Sequence, residues 1–412
     1  MRSSWLTIAL LCCAAGGYAQ TEVKLTADDG APGDRFGYAV SIDSDTILVG
    51  AAADDDGGDA SGSAYVFTRS GATWSQQAKL TAADPAELAA FGASVSVSGN
   101  SAVIGAYGDD DAGWASGSAY VFTRSGATWS QQAKLTADDI AQFTWFGSAV
   151  SMDGETVVVG APWDDDGLGN SGSAYVFTRT GEVWTQQAKL TADDPYWNVY
   201  RFGHSVSLSG DTAVVGAYLA GPSSRGSVYV FTRTGDVWSQ QAELIGTDSA
   251  GLDQFGWSVA IRGDTALVGA DQQCAGFPYP VGSAYVFTRS GAAWSQQAKL
   301  VAADPAYEAR FGYSVAISGD TAVVGADLDD HGGIEESGSA YVFTRAGGAW
   351  DQREKLTASD AVMYGRFGQS VSVSEDTAVI GAPGDDGSWL NGAAYVFTGP
   401  PIPVELQRFT VE

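Results

Sequence analysis

An all-β chain closed into a seven-bladed β-propeller of four-stranded antiparallel blades is the fold this sequence predicts, on three observations. A Phe-Gly pair recurs seven times, at Phe36, Phe91, Phe146, Phe202, Phe255, Phe311 and Phe367. Each unit so marked holds four short segments of strand character. The last unit lacks its fourth segment, and a matching one stands at the opposite end of the chain. Four strands at a period of 53 to 56 residues is the signature of propeller blades. A blade with two apolar faces needs a neighbour on each side, so seven copies close into a ring.

Residues 1–19 read as an export signal rather than as part of the fold. Arg2 supplies a positive start, Trp5 to Ala15 an apolar run, and Gly17-Tyr18-Ala19 a small-x-small cleavage site, with cleavage expected after Ala19. The expected location is therefore secreted or cell-surface. A lipid anchor through Cys12 or Cys13 is the alternative, but neither cysteine follows the small residue such a signal uses. The apolar run is too short for a stable membrane span, and no later segment resembles a transmembrane one. Cleavage leaves Cys274 as the one remaining cysteine, so no internal disulfide is expected and a spectator thiol is the simplest reading.

The propeller is assigned to residues 20–399. In its first unit Tyr38 to Ile42 alternates small or polar residues with apolar ones, and Thr46 to Ala51 is a continuous apolar run suited to a strand covered on both faces. Ser63 to Thr68 and Thr73 to Thr81 complete the four. The seventh unit stops after its third strand at Gly399-Pro400-Pro401. Glu22-Val23-Lys24-Leu25-Thr26-Ala27-Asp28-Asp29 matches the end of a fourth strand, as in Lys134 to Asp139. The N-terminal strand is thus expected to complete the last blade and latch the ring. Residues 400–412 form a Pro-rich tail or the start of a further module, with Val404 to Val411 reading as one more strand.

Antiparallel order makes the two faces unequal. Connections between first and second and between third and fourth strands are short Gly turns, such as Ser209-Gly210-Asp211-Thr212. The other connections are longer, variable and acidic. The loop-rich face is where binding is expected, because variation on a repeated scaffold concentrates there.

The chain has 49 acidic and 21 basic residues, for a net charge of −28. Such a surface repels phosphate backbones and anionic lipid, which disfavours nucleic acid and membrane surfaces and favours cationic partners. Candidate calcium ligands are the clustered loop carboxylates Asp54, Asp56, Asp59, Asp109, Asp111, Asp164, Asp166, Asp329 and Asp385. Adjacent carboxylates repel one another, and a hard cation accepting several oxygens relieves this. The alternative is that Asp-Gly runs make good turns and the charge keeps an exported protein soluble. The spacing fits no EF-hand.

Trp74, Trp129, Trp184, Trp238, Trp294 and Trp350 hold one place in six units, which argues for packing between adjacent outer strands. Trp114, Trp163, Trp197 and Trp389 occur in single units near the loop-rich face and are candidate ligand-stacking aromatics. A catalytic reading finds no nucleophile motif, no phosphate-cradling loop and no zinc spacing. The two histidines, His204 and His331, lie in different units and read as structural.

Phe-Gly followed by an apolar strand and Gly-Ala-Pro resembles the FG-GAP repeat of the integrin α-subunit propeller, in its bacterial branch. Gly-Ala-Pro is complete at Gly160-Ala161-Pro162 and Gly381-Ala382-Pro383 and shortened to Gly-Ala in the other units. The resemblance implies a propeller in an extracellular setting and adhesion or partner binding. It does not carry over the integrin calcium loop, because the connection where that loop sits is here a tight turn. The expectation is a monomeric, non-enzymatic binding or adhesion propeller for an extracellular protein or glycan, with calcium as the one cofactor to consider. The alternatives are a carbohydrate-active hydrolase or lyase and a purely structural surface repeat. A buried carboxylate pair beside an aromatic at the channel mouth would favour the enzyme.

Overall fold

The computed structural model describes residues 21–165, 171–193, 201–273, 279–385 and 391–399. Among these are seven four-stranded antiparallel sheets, each a blade, and two single-turn 3₁₀ segments. The candidate residues Asp166, Trp197 and Trp389, with Cys274, the export signal and the tail, lie outside the described residues.

Blade one shows the pattern, from the channel outward: Phe36–Asp43, Thr46–Ala51, Ser63–Ser70 and Thr73–Leu80. The second strand is buried along its whole length, as its unbroken apolar run requires. One layer of core lies between each pair of blades. Between blades one and two, Leu48 and Val66 meet Val95, Ile104, Tyr120 and Phe122. Each such side chain contributes about 1.5–3 kcal/mol on full burial, so the ring is held by the gaps between blades.

The Phe-Gly pair fills and closes that gap. Phe91 packs edge-on against Tyr120 and Phe122 of its own blade, with ring centroids 5.4 and 6.0 Å away. Its amide donates to Ser61 of the preceding blade at 3.0 Å. Gly92 follows with φ 94°, and a Cβ there would stand 2.3 Å from the Ser63 carbonyl oxygen. Only glycine allows that approach.

The Trp-x-Gln-Gln segment joins neighbouring outer strands. Pairing slips by one residue between Val66 and Phe67, which leaves Gln77 as the extra residue of a β-bulge. The bulge lets the Gln77 side chain face the next blade, where its Oε1 accepts from the Trp129 indole N–H at 2.9 Å. Four further pairs repeat this, from Trp184 with Gln132 to Trp350 with Gln297. The first glutamine works in the other direction: Gln131 Oε1 accepts from the Ala83 amide of the preceding connection at 2.9 Å.

Closure is as expected. Thr21–Leu25 pairs antiparallel with Ala393–Thr398 as the outer strand of the seventh blade. Lys24 stands opposite Tyr395, just as Lys79 stands opposite Tyr65 in blade one. The latch carries no Gln-Gln and pairs without a bulge.

The plain face is tied by arginines. Arg124 Nε donates to Asn100 in its own blade's turn at 2.9 Å, and its Nη1 donates to Thr46 of the previous blade at 3.1 Å. Five blades show this bridge, which ties each of them to the blade before it.

Candidate functional site

The loop-rich face holds two chemically distinct zones, an outer circle of carboxylates and an inner collar of aromatics. In the outer circle, the first aspartate of each Asp cluster turns inward. Asp54 is buried; its Oδ2 accepts from the Tyr65 hydroxyl at 2.8 Å and lies 2.9 Å from the Lys79 ammonium. The same ammonium holds Asp29 at 2.8 Å and Asp56 at 2.5 Å. Blade two repeats the node with Lys134, Asp84, Asp109 and Asp111. Lys189 gathers Asp139 and Asp164, Lys355 gathers Asp304 and Asp329, and Lys24 gathers Asp360 and Asp385.

A lysine ammonium therefore stands among the carboxylates where a hard cation would stand. Among the described residues no three carboxylate, imidazole or thiol groups converge into a metal-sized cluster. Asp59 is in none of the nodes; its carbonyl accepts from the Leu88 amide at 2.7 Å. Two blades depart from the node. Blade four has Ala220 for the aspartate and Glu243 for the lysine, and Glu243 accepts from Ser227 instead. Blade five has Gln273 for the aspartate, and Tyr285 turns to Asp248 on Lys299.

Burial works against ionisation of Asp29 and against charging of Lys79. The hydrogen bonds between them outweigh it, so the carboxyl sits below its usual value and the ammonium above.

The inner collar surrounds the mouth of the channel. The residue after each Phe-Gly faces the axis: Tyr38, Ala93, Ser148, His204, Trp257, Tyr313 and Gln369 line one cavity of about 280 Å³. His204 lies between Tyr218 and Trp257, with centroids at 4.6 and 4.5 Å, and Trp257 continues to Tyr313 at 5.6 Å. On the other side Tyr107, Trp145 and Trp163 follow one another at 5.4 and 5.2 Å, and Arg201 stacks on Trp163. Burial, with Arg201 adding to it, pushes the His204 imidazole down to about 4. It is neutral at physiological pH.

Of the candidate aromatics, Trp163 belongs to this collar. Trp114 stands apart on the outer loops, exposed and stacked on Phe143 at 6.5 Å. Tyr38, His204, Tyr313 and the arginines before Phe-Gly were missed by reading motifs. The available signal was variation at a single repeat position whose flanks do not vary.

Two buried carboxylates lie behind the collar. Asp327 and Asp271 flank Arg310, at 3.1 and 3.8 Å, and Arg310 lies over the Tyr313 ring at 4.0 Å. Burial, opposed by Arg310, raises both carboxyls to about 6. The Oδ1 atom of each has no hydrogen-bond partner among the described residues.

Repeat, ring and faces define a propeller that serves as a binding or structural repeat scaffold. The model of the FG-GAP repeat matches residues 20–67, 74–122, 129–177, 184–231, 238–287, 294–343 and 350–397, and the chain belongs to that family. The first matched unit includes the latch strand. No curated protein matches the chain. Among solved structures, the chain is similar to Saccharomyces cerevisiae Sqt1 at 11% identity and a TM-score of 0.50, over 92% of this chain and 85% of that one. That likeness concerns the fold alone. Among the described residues no helix is long and apolar enough to cross a membrane.

Proposed function

We propose that the protein is an exported, monomeric, non-enzymatic binding propeller that seats an extracellular glycan or protein at its channel mouth, on the loop-rich face. One observation carries the reading: the repeat is uniform in its core and its outer strands, and it diverges at the axial position that forms the aromatic collar. Uniform positions serve the ring, whereas a divergent concave aromatic surface is what recognition uses. Adhesion is the cellular role this reading suits.

A calcium ion entering the Asp loops would have to displace a lysine already held by two or three carboxylates. Recognition is therefore assigned to the collar, with calcium as a variable of the test. Wild-type protein and the Trp257→Ala variant are to be screened on glycan and protein arrays, with and without calcium. Ligands captured by the wild type and lost by the variant support the reading. Capture unaffected by Trp257→Ala, or capture of nothing, removes it.

The pair Asp271 and Asp327 favours a second reading, a carbohydrate-active hydrolase or lyase. Both carboxyls are nearly inaccessible, at 2% and 0% exposure, with Arg310 paired between them, which suits supports of the collar better than groups that reach a substrate. Release of reducing ends or unsaturated sugars from any glycan captured on the array would decide for the enzyme.

A further inference from the structure

The position before each Phe-Gly carries a left-handed backbone in all seven blades, and in four of them the residue is arginine: Arg35, Arg201, Arg310 and Arg366, with φ between 55° and 59°. Non-glycine residues rarely adopt this conformation, and its recurrence aims these side chains at the mouth. Two of the four are committed. Arg201 is buried against Trp163, and Arg310 is held by Asp327. The other two, Arg35 and Arg366, line a single cavity of about 490 Å³ together with Tyr38, Tyr313, Tyr364 and Gln369.

That cavity lies across the seam of the ring. Its residues come from the first blade and from the sixth and seventh, brought together by the latch. It is open there for a local reason. Blade three carries Trp163 directly after its Gly-Ala-Pro, whereas blade seven carries Gly384, and a Cβ at Gly384 would meet the Tyr364 carbonyl oxygen at 1.9 Å.

In a chain of net charge −28 the cavity has two guanidinium groups and no carboxylate in its lining. Arg35 has no ion pair among the described residues, and Arg366 has one, to Glu336 at 3.3 Å. Guanidinium forks take planar oxyanions in paired hydrogen bonds, and tyrosine faces take the apolar face of a sugar ring. The acidic surroundings repel a long polyanion, so the ligand that suits both is short and singly charged.

We propose that this seam cavity binds a short glycan ending in one carboxylated pyranose, with the carboxylate on Arg35 and Arg366 and the sugar ring against the tyrosines. The inference rests on the collar as the binding surface and narrows it to a ligand class and a place.

The test is calorimetry on the full chain with disaccharides ending in glucuronate, galacturonate, mannuronate or sialate, each beside its neutral counterpart and a sulfated one. At least one carboxylated sugar is expected to bind at least 10-fold more tightly than its neutral and sulfated partners, and to weaken with added salt. Arg35→Ala should lose at least 10-fold in affinity with an unchanged melting temperature. Alanine is tolerated at this backbone conformation, since Ala90 holds it in blade two at φ 55°. Arg366→Ala should act likewise. Equal binding of neutral sugars, preference for sulfate, or affinity untouched by both arginine variants overturns the proposal. A blank panel also overturns it, and if the arrays still show capture that depends on Trp257, the broader binding reading survives alone.

Discussion

The Lys24 ammonium of the first strand lies 2.6 Å from the Asp385 carboxylate of the last blade, and this pair joins the two ends of the propeller. Asp385 is buried and also accepts from the Tyr395 hydroxyl at 2.6 Å, while Lys24 is about one-third exposed. Removing the lysine leaves a buried carboxylate without its counter-charge, at a cost of about 1–3 kcal/mol once partial exposure is allowed for. Lys24→Met should lower the melting temperature by several degrees in a thermal scan. Deleting residues 20–29 should lower it far more, because the seventh blade then loses its outer strand.

The lysine nodes also set a pH window. Asp29, Asp139, Asp248 and Asp360 all lie below their usual value, because hydrogen bonds from lysine and tyrosine outweigh burial. A depressed carboxyl contributes stability above its unfolded value, near 4, and loses it as pH falls through the folded value. Lys24, Lys79, Lys134 and Lys355 are raised, again because bonds to carboxylates outweigh burial. Their contribution is present below about 10.4 and lost as pH rises beyond it. The melting temperature should therefore fall below pH 4 and above pH 10.

Asp271 and Asp327 act in the opposite sense. Burial raises both to about 6, so each favours the fold when protonated and loses that contribution as pH rises from about 4 through 6. Between pH 5 and 7 the wild type should lose a little stability as pH rises. In the Asp271→Asn variant that slope should shrink; an unchanged slope would exclude Asp271 as its source.

The fold was legible because the repeat displays it seven times. The two glutamines of Trp-x-Gln-Gln show how far local sequence follows global closure. Blades one to five place Gln77, Gln132, Gln187, Gln241 and Gln297 at the bulge, each for the tryptophan of the next blade. Blade six places Arg353 there, and the blade that follows it has the latch, with no tryptophan. The departure from the repeat coincides with the missing partner. The lysine nodes were not legible in the same way. Reading Asp54-Asp55-Asp56 as a string suggests mutual repulsion, whereas Lys79 lies 23 residues from Asp56 in sequence and reaches it only through strand pairing. The collar was harder still, because Tyr38, His204 and Tyr313 look like isolated exceptions until the ring brings them to one axis.

A lysine in place of a metal predicts how calcium should act. Wild-type protein should show no shift in melting temperature with millimolar calcium, because a lysine ammonium already occupies the centre of each node and a calcium ion would have to displace it. Lys134→Met removes the counter-charge shared by Asp84, Asp109 and Asp111, and this variant should be less stable; rescue by calcium would show that the three carboxylates can close on a cation. Heat on titrating calcium into the wild type would instead locate a cation site in the loops outside the nodes.

His204 makes the last prediction about recognition itself. It stands in the collar beside Trp257, and burial with Arg201 pushes it down to about 4, so it stays neutral across the range in which an exposed histidine titrates. His204 should therefore add no pH dependence to ligand affinity at the mouth between pH 5.5 and 8, which is tested by comparing wild type with His204→Gln over that range. Trp257→Ala should weaken capture through Tyr313, against which it packs, and shift the melting temperature by only a few degrees, because this indole lines the mouth and belongs to no inter-blade core cluster among the described residues. Affinity that rises or falls through pH 6.5 in the wild type but not in His204→Gln would mean that the imidazole is charged in one of the two states. A ligand would then have to neutralise it, which would move the binding charge from Arg35 and Arg366 to the opposite side of the channel.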